Sequence, residues 1–381
     1  MNIAIVCEYN PFHFGHLHQI NEIKKFFPKA NIIAIMSGNV VQRGEFSVLD
    51  KLYKTKIALE YGIDCVVEIP SVFSLQSAQN FGYYAIKIID AIGCDYVSFG
   101  IESEIEDLIS FKNFLLENND NIQQFICDNK NLSFNRNIME FSKQNYMDYS
   151  DEIFKSNNIL ALEYIKSLDK INSNCKILPI KRINSDYNSN SIENISYSAS
   201  SIRSNFELLD QYESKIPTLT YEFMKNNYIE VDNKLLDILS YKLLIEKYKL
   251  DNITGYEKGL ENLLTKGLDK NYQVFFENIK NRKYSQNRLK RLILNYILGV
   301  DKKFVDDILK KDIEAIRLLG FNKNFDLSMI NKNCKICSLT RDFSKLSEDY
   351  QKLFEFDIKV SRLIYSTRKV NDFYDFPVIK K

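Results

Sequence analysis

The chain has 381 residues, 45% hydrophobic and 27% charged, an ordinary globular balance that excludes wholesale disorder and leaves room for two domains. With 51 basic against 50 acidic side chains the net charge is +1, so a polyanionic partner would have to meet a local patch. No apolar run approaches the ~18–20 residues that cross a bilayer, the first residues lack the marks of a signal peptide, and seven scattered Cys suit reduced thiols in the cytoplasm.

Residues 2–7 form an apolar run predicted as a strand, and 17–27 carry apolar residues at helical spacing. A second strand is predicted over 31–36; after a loop at 37–50, residues 51–61 predict a helix stopped by Gly62. A third strand over 64–69 ends at Pro70, a helix over 77–92 ends at Gly93, and a fourth strand over 95–99 runs into Gly100. Strands alternating with helices at this spacing predict right-handed βαβ units and a parallel sheet. Their near-continuous apolar character predicts a sheet covered on both faces. A helix over 151–168, a strand over 176–180, an Asn/Ser-rich loop over 184–196 and a helix from Ser198 follow. From about residue 218 the strand signal fades, and 235–248, 255–268, 288–298, 304–319 and 350–365 all read as helices. The expected organisation is a Rossmann-like α/β domain over residues 1–210 and a mostly α-helical domain over 215–381, with the boundary near 207–217.

The strongest chemical signal is Asn10-Pro11-Phe12-His13-Phe14-Gly15-His16, directly after the first strand and opening the first helix. All three histidines of the chain (His13, His16, His18) fall within it or just beyond. Ligands of open α/β sheets bind at the carboxyl ends of the strands, and a helix N-terminus there offers free N–H groups to phosphate. Gly15 lets backbone approach closely, and His13 and His16 can donate to charge developing on a phosphoryl oxygen. The bland alternative is that one His caps the helix and another packs. A metal site is not expected, because no Cys or carboxylate cluster accompanies the histidines at ligand spacing. A Ser-rich turn, Ser198-Ala199-Ser200-Ser201-Ile202-Arg203, is a possible second phosphate element: hydroxyls cap a helix and Arg203 can clamp phosphate.

Lys280, Arg282, Lys283, Arg288, Lys290 and Arg291 lie in one stretch with Tyr284 and without an intervening acid. Leu289, Leu292, Ile293 and Tyr296 give the segment an apolar face, so a helix could be anchored while its cationic side stays wet. Such a patch suits RNA phosphates and unstacked bases; a solvated face in a Lys-rich protein is the alternative. Glu68, late in an apolar strand, should pair or line the site, since a lone buried carboxylate is costly. The single Cys334-Lys335-Ile336-Cys337 reads as structural thiols, for want of a second ligand pair.

The strand–HxGH–helix context resembles the nucleotidyltransferase superfamily of ATP-using α/β enzymes. Longer stretches resemble one family within it: the run from Cys7 to His16; Met36-Ser37-Gly38-Asn39; Gln42-Arg43-Gly44-Glu45; residues 64–70; Ser98-Phe99-Gly100-Ile101-Glu102; Ser156-Asn157-Asn158; and Leu178-Pro179-Ile180-Lys181-Arg182. Arg288-Leu289-Lys290-Arg291-Leu292 and Ile316-Arg317-Leu318-Leu319-Gly320-Phe321 extend the match, so nearly the whole chain resembles the tRNA(Met) cytidine acetate ligases. That resemblance implies acetate activation by ATP with Mg²⁺, then acetyl transfer to N4 of the wobble cytidine of elongator tRNA(Met), with no membrane or DNA partner. It implies catalytic roles for His13 and His16. It also implies ATP contacts from Val6, Cys7, Glu8, Tyr9, Asn10, Pro11, Phe12, His13, Phe14, Gly15, His16, Leu17, His18 and Gln19, together with Gly100, Asn157, Arg182, Ser200 and Arg203. RNA contacts are expected from Lys280, Arg282, Lys283, Arg288 and Arg291. Asn157 reads equally as a helix cap or a nucleotide contact. Gln42, Arg43 and Glu45 could reach acetate, ATP or cytidine. Two positions depart from the family: Tyr187-Asn188-Ser189 stands where Tyr-His-Asp is usual, and Phe46 where Pro is common. The competing readings are AMP transfer onto a phosphorylated small molecule and a non-catalytic RNA-binding protein.

Overall fold

The computed structural model describes residues 1–182, 198–229, 232–246, 250–330, 333–365 and 377–380. The loop expected at 184–196, with its Tyr187-Asn188-Ser189 departure, lies outside the described residues.

The strands are β1 (Asn2–Cys7), β2 (Asn31–Ser37), β3 (Val40–Val41), β4 (Glu45–Phe46), β5 (Cys65–Ile69), β6 (Tyr96–Ile101), β7 (Lys176–Lys181), β8 (Ala315–Asn322), β9 (Lys335–Cys337) and β10 (Val378–Lys380). Around them lie α1 (Phe14–Phe26), α2 (Lys51–Glu60), α3 (Ser71–Ser74), α4 (Ala78–Ala91), α5 (Ile105–Glu117), α6 (Asn119–Asp128), α7 (Phe134–Asn145), α8 (Ser156–Ile171) and α9 (Ala199–Ser204). The chain continues through α10 (Thr218–Asn227), α11 (Asp232–Tyr241), α12 (Leu260–Gly267), α13 (Tyr272–Asn278), α14 (Gln286–Leu298), α15 (Lys302–Lys310) and α16 (Glu348–Tyr365).

One eight-stranded sheet runs β10-β8-β5-β2-β1-β6-β7, with β9 on the start of β8; β3 and β4 form a separate hairpin. The pairs from β5 to β7 are parallel, as the alternation predicts, whereas β8 meets β5 antiparallel. Both faces are covered. Ile3 and Ile5 of β1 pack with Ile20, Ile23 and Ile57 from α1 and α2, and Ala4 packs on the other face with Ala85, Ile89 and Ile165 from α4 and α8. Local chemistry sets the helix ends. Asp50 caps α2 by accepting from Leu52 N at 2.8 Å, and Gly62 beyond its end takes φ +106°, open to glycine without strain.

The helix expected over 304–319 is corrected: α15 stops at Lys310 and the chain re-enters as β8, whose first six residues are buried. The apolar run reads at either period, and the sheet edge beside β5 decides it as a strand. Gly320 is required there, because a Cβ would lie 2.6 Å from Thr55 Cγ2 and 2.7 Å from the Val378 carbonyl. So the late chain contributes to the sheet as well as forming helices, and the sheet is mixed. Glu68 finds partners in this seam: Lys51 Nζ stands 3.1 Å and Arg317 Nη1 3.4 Å from its carboxylate, all buried. Asp357 of α16 accepts from Ser71 N at 2.6 Å beside them, so ion pairs and this hydrogen bond together link α2, α3, β5, β8 and α16.

Candidate functional site

From β1 the chain crosses to β2 on one side and later to β6 on the other, so the direction of winding reverses beside β1. Crevices of this kind at strand carboxyl ends are where α/β folds bind ligands. Here the crevice is a cavity of about 1030 Å³. Of the residues expected to touch ATP, Val6, Cys7, Glu8, Tyr9, Asn10, His16, Gln19, Gly100, Asn157, Arg182, Ser200 and Arg203 line it. Pro11, Phe12, His13, Phe14, Gly15, Leu17 and His18 do not. Phe12 and His13 are buried behind the wall, and Phe14 is exposed.

His13 is the N-cap of α1. Its Nδ1 accepts from Gly15 N at 3.0 Å, and in return His16 Nδ1 accepts from His13 N at 3.2 Å. The rings stack with centroids 3.8 Å apart, and Tyr9 packs edge-on to His16 at 4.9 Å. With each Nδ1 lone pair occupied, each neutral ring carries its proton on Nε2 and presents a donor. Burial, helped by the nearby Arg182 charge, pushes His13 down to about 3; burial, then His13 and Arg182, hold His16 well below the ordinary value. Both imidazoles are therefore neutral donors at pH 7. Capping and ligand donation are not alternatives here, because they use opposite nitrogens of the same rings.

Arg203 Nη1 donates to the Asn10 carbonyl at 2.6 Å, joining the Ser-rich turn to the histidine turn, and Ser198 caps α9 by accepting from Ser201 N at 3.2 Å. On the β6 side, Gly100 leaves only 3.2 Å between a would-be Cβ and Arg182 Cγ. Asn157 is not a cap: Lys155 holds that position, and Asn157 Nδ2 donates to Glu102, which also accepts from Asn158 N at 3.1 Å. Gln19 Nε2 donates to Ser98 Oγ at 3.2 Å on the cavity wall.

Loop 42–45 closes the opposite side. Glu8 Oε1 accepts from Gln42 N at 2.6 Å, Arg291 Nη1 donates to the Gln42 carbonyl at 3.0 Å, and Glu45 pairs with Lys290. Gly44, at φ +79°, could not carry a side chain: a Cβ would lie 2.7 Å from the Lys290 carbonyl carbon. α14 thus docks on this loop, and Arg288 and Arg291 line the cavity. The patch that is acid-free in sequence is not so in the fold. Glu257 pairs with Lys283 at 2.8 Å and with Arg288; despite burial, which would raise it, their hydrogen bonds hold its carboxyl down to about 2. Lys280, exposed, faces Glu277 at 3.4 Å, and Arg282 is exposed.

Sequence reasoning missed part of the wall. Gln76 accepts from Thr254 at 3.1 Å, and Asn295 Nδ2 donates to the Leu75 carbonyl at 3.1 Å. Asn295 carried a usable signal, a polar side chain on the apolar face of a predicted helix; Gln76 and Thr254 carried none. All seven cysteines are free, and burial pushes Cys334 and Cys337 up to about 11.

Residues 1–374 match the family model described as HIGH Nucleotidyl Transferase. The chain is 32% identical to a tRNA(Met) cytidine acetate ligase of Clostridium tetani, covering 100% of both, and 34% identical to one of Clostridium novyi, covering 84% and 85%. It also superposes on Thermotoga maritima TmcAL, apo form I, with TM-score 0.85 at 28% identity, covering 100% of this chain and 99% of that one. The same relative bound with alpha-thio ATP gives a TM-score of 0.84 at 28% identity over the same shares.

Proposed function

The chain belongs to the tRNA(Met) cytidine acetate ligase family of HIGH nucleotidyl transferases, and on that premise we propose that it activates acetate with ATP and acetylates N4 of the wobble cytidine of elongator tRNA(Met). The observation carrying this reading is the pair of reciprocally capped histidines at the mouth of α1, whose neutral rings keep their Nε2 donors free. That a relative was crystallised with an ATP analogue supports ATP as the nucleotide.

In the first step an acetate oxygen attacks the α-phosphorus, the bond to pyrophosphate breaks, and acetyl-adenylate remains. No protein nucleophile is needed; the work is positioning and charge stabilisation. His16, from the wall, and His13, stacked against it, would donate toward the phosphoryl oxygens through Nε2, whereas the first N–H groups of α1 are already taken, Gly15 N by His13 Nδ1 and His16 N by the His13 carbonyl at 2.9 Å. Arg182 and Arg203 supply positive charge from the cavity wall, and Ser200 a hydroxyl. Mg²⁺ would accompany ATP, held mainly by its phosphates: among the described residues no group of three or more His, Cys, Asp or Glu could hold a metal ion. In the second step the cytidine amine attacks the mixed-anhydride carbonyl and AMP leaves. The late region, residues 215–381, supplies the tRNA surface through Lys280, Arg282, Lys283, Arg288 and Arg291.

Exchange of labelled pyrophosphate into ATP tests this. Exchange that requires acetate is expected. Exchange that appears only when a phosphorylated small molecule replaces acetate would point to AMP transfer onto that acceptor, and no exchange with either would leave a nucleotide fold without this chemistry.

A further inference from the structure

The second step needs a proton acceptor. When N4 of cytidine bonds to the acetyl carbon and the carbon–oxygen bond to AMP breaks, the nitrogen must shed a proton. The histidines cannot take it, because both Nδ1 lone pairs are spent on backbone N–H groups and both Nε2 atoms already carry hydrogen. His18 lies outside the cavity. Among the described residues the carboxylates lining the cavity are Glu8 and Glu163, and Glu163 is held by Lys166 at 2.9 Å.

Resting on the acetyl-transfer reading, we infer that Glu8 is the general base that removes the N4 proton of the acceptor cytidine. Glu8 stands one residue beyond β1, partly open to the cavity, where the nucleotide wall meets the wall built by Gln42, Gln76, Thr254 and Arg291. Its Oε1 accepts from Gln42 N at 2.6 Å, which fixes the carboxylate without neutralising it. The N4 lone pair forms the amide bond, AMP departs with the electrons of the broken bond, and the proton passes to Glu8 and then to water. The charged and titratable groups around it are Cys7 beside it, Arg43 of the loop, Lys54 of α2, Tyr164 of α8, Arg203 of α9 and Arg291 of α14. Burial raises the carboxyl above its ordinary value, against the Gln42 N–H and the charges of Lys54, Arg43 and Arg203. A raised carboxylate pKa improves proton uptake near neutral pH.

Glu8→Gln is the decisive variant, since its amide oxygen still accepts from Gln42 N. Two rates are compared: acetate-dependent pyrophosphate exchange, and single-turnover transfer from preformed acetyl-adenylate to tRNA(Met). Transfer should fall about 10²-fold, at least ten times more than exchange falls. Wild-type transfer should also decline on the acid side as the carboxylate protonates, and Glu8→Gln should lose that limb; Glu8→Asp should recover part of the rate. Equal losses in both rates would make Glu8 an element of the ATP site only, and transfer within threefold of wild type would leave the departing phosphate as the base. Either overturns the inference while acetate-dependent exchange in the wild type keeps the parent reading intact.

Discussion

The histidine turn and the basic helix meet across one cavity but are held in opposite ways. The turn is stitched by atoms two and three residues apart, His13 to Gly15 and His16 to His13. The cations of α14 are answered from far along the chain: Glu257, 31 residues before Arg288, and Glu45, 245 residues before Lys290. A locally stitched turn fixes tautomer and direction wherever its helix forms. A remotely gripped patch has its charge set by the tertiary assembly, so its positive sequence is partly neutral in the fold.

The largest effect should come from the local turn. His16→Ala removes a donor from the wall and its half of the capping box, while His13 still caps α1. Acetate-dependent exchange should fall about 10²–10³-fold, the scale for one lost transition-state donor. In the wild type the histidines should impose no acid limb on exchange near the ordinary value of 6.5, because His13 stays neutral down to about 3. An exchange rate that halves between pH 7 and 6, with the loss abolished in His16→Ala, would show that protonated imidazole breaks the arrangement and that the rings are less shielded than their burial implies.

A mid-sized effect is expected where the two regions touch. Gly44→Ala places a methyl against the Lys290 carbonyl carbon, 2.7 Å away, at a φ of +79° that L-residues disfavour. The left-handed conformation alone costs about 1–2 kcal/mol and the clash adds to it. Thermal unfolding should come earlier, and Arg291 should lose its hold on the Gln42 carbonyl, so acetyl transfer to tRNA should suffer more than exchange. Equal losses would mean that the grip of α14 on the loop serves the nucleotide half as much as the tRNA half.

This contrast also explains what could be read from the sequence. The parallel strands, the helices of the first hundred residues and the histidine turn rest on period and spacing within a dozen residues, and each stands where expected. The strand β8 escaped because its apolar run fits two periods and only the open edge beside β5 selects one. Helices α5 to α7 were legible but are absent from the sequence reading: each buries apolar residues, Leu108 and Phe111 in α5 and Ile138 and Phe141 in α7 at helical spacing. Asn157 was legible as a residue but not in its role, because Glu102, its partner, comes from another element 55 residues away. Charge was least legible: a run of cations says nothing of the acids that folding will bring to it.

Glu257 gives that last point its test, and the smallest effect. Its carboxylate accepts from Lys283, Arg288 and Tyr284, the last at 3.0 Å, so an incoming phosphate must compete for the same donors. Glu257→Gln removes the competing charge but keeps an acceptor for the tyrosine. Because the residue is partly exposed, the stability lost should stay below about 1 kcal/mol. Freed of that partner, Lys283 and Arg288 should bind tRNA about three- to fivefold more tightly at low salt. The salt dependence should steepen by about one ion, since one more cation becomes available to displace counterions from phosphate. Filter binding across a salt series reads both quantities. Tighter binding with an unchanged slope would place the gain outside the phosphate contacts. Unchanged or weaker binding would mean that Glu257 builds the tRNA surface by holding its arginine in place, and that remote gripping on α14 is construction where the histidine turn has none to spare.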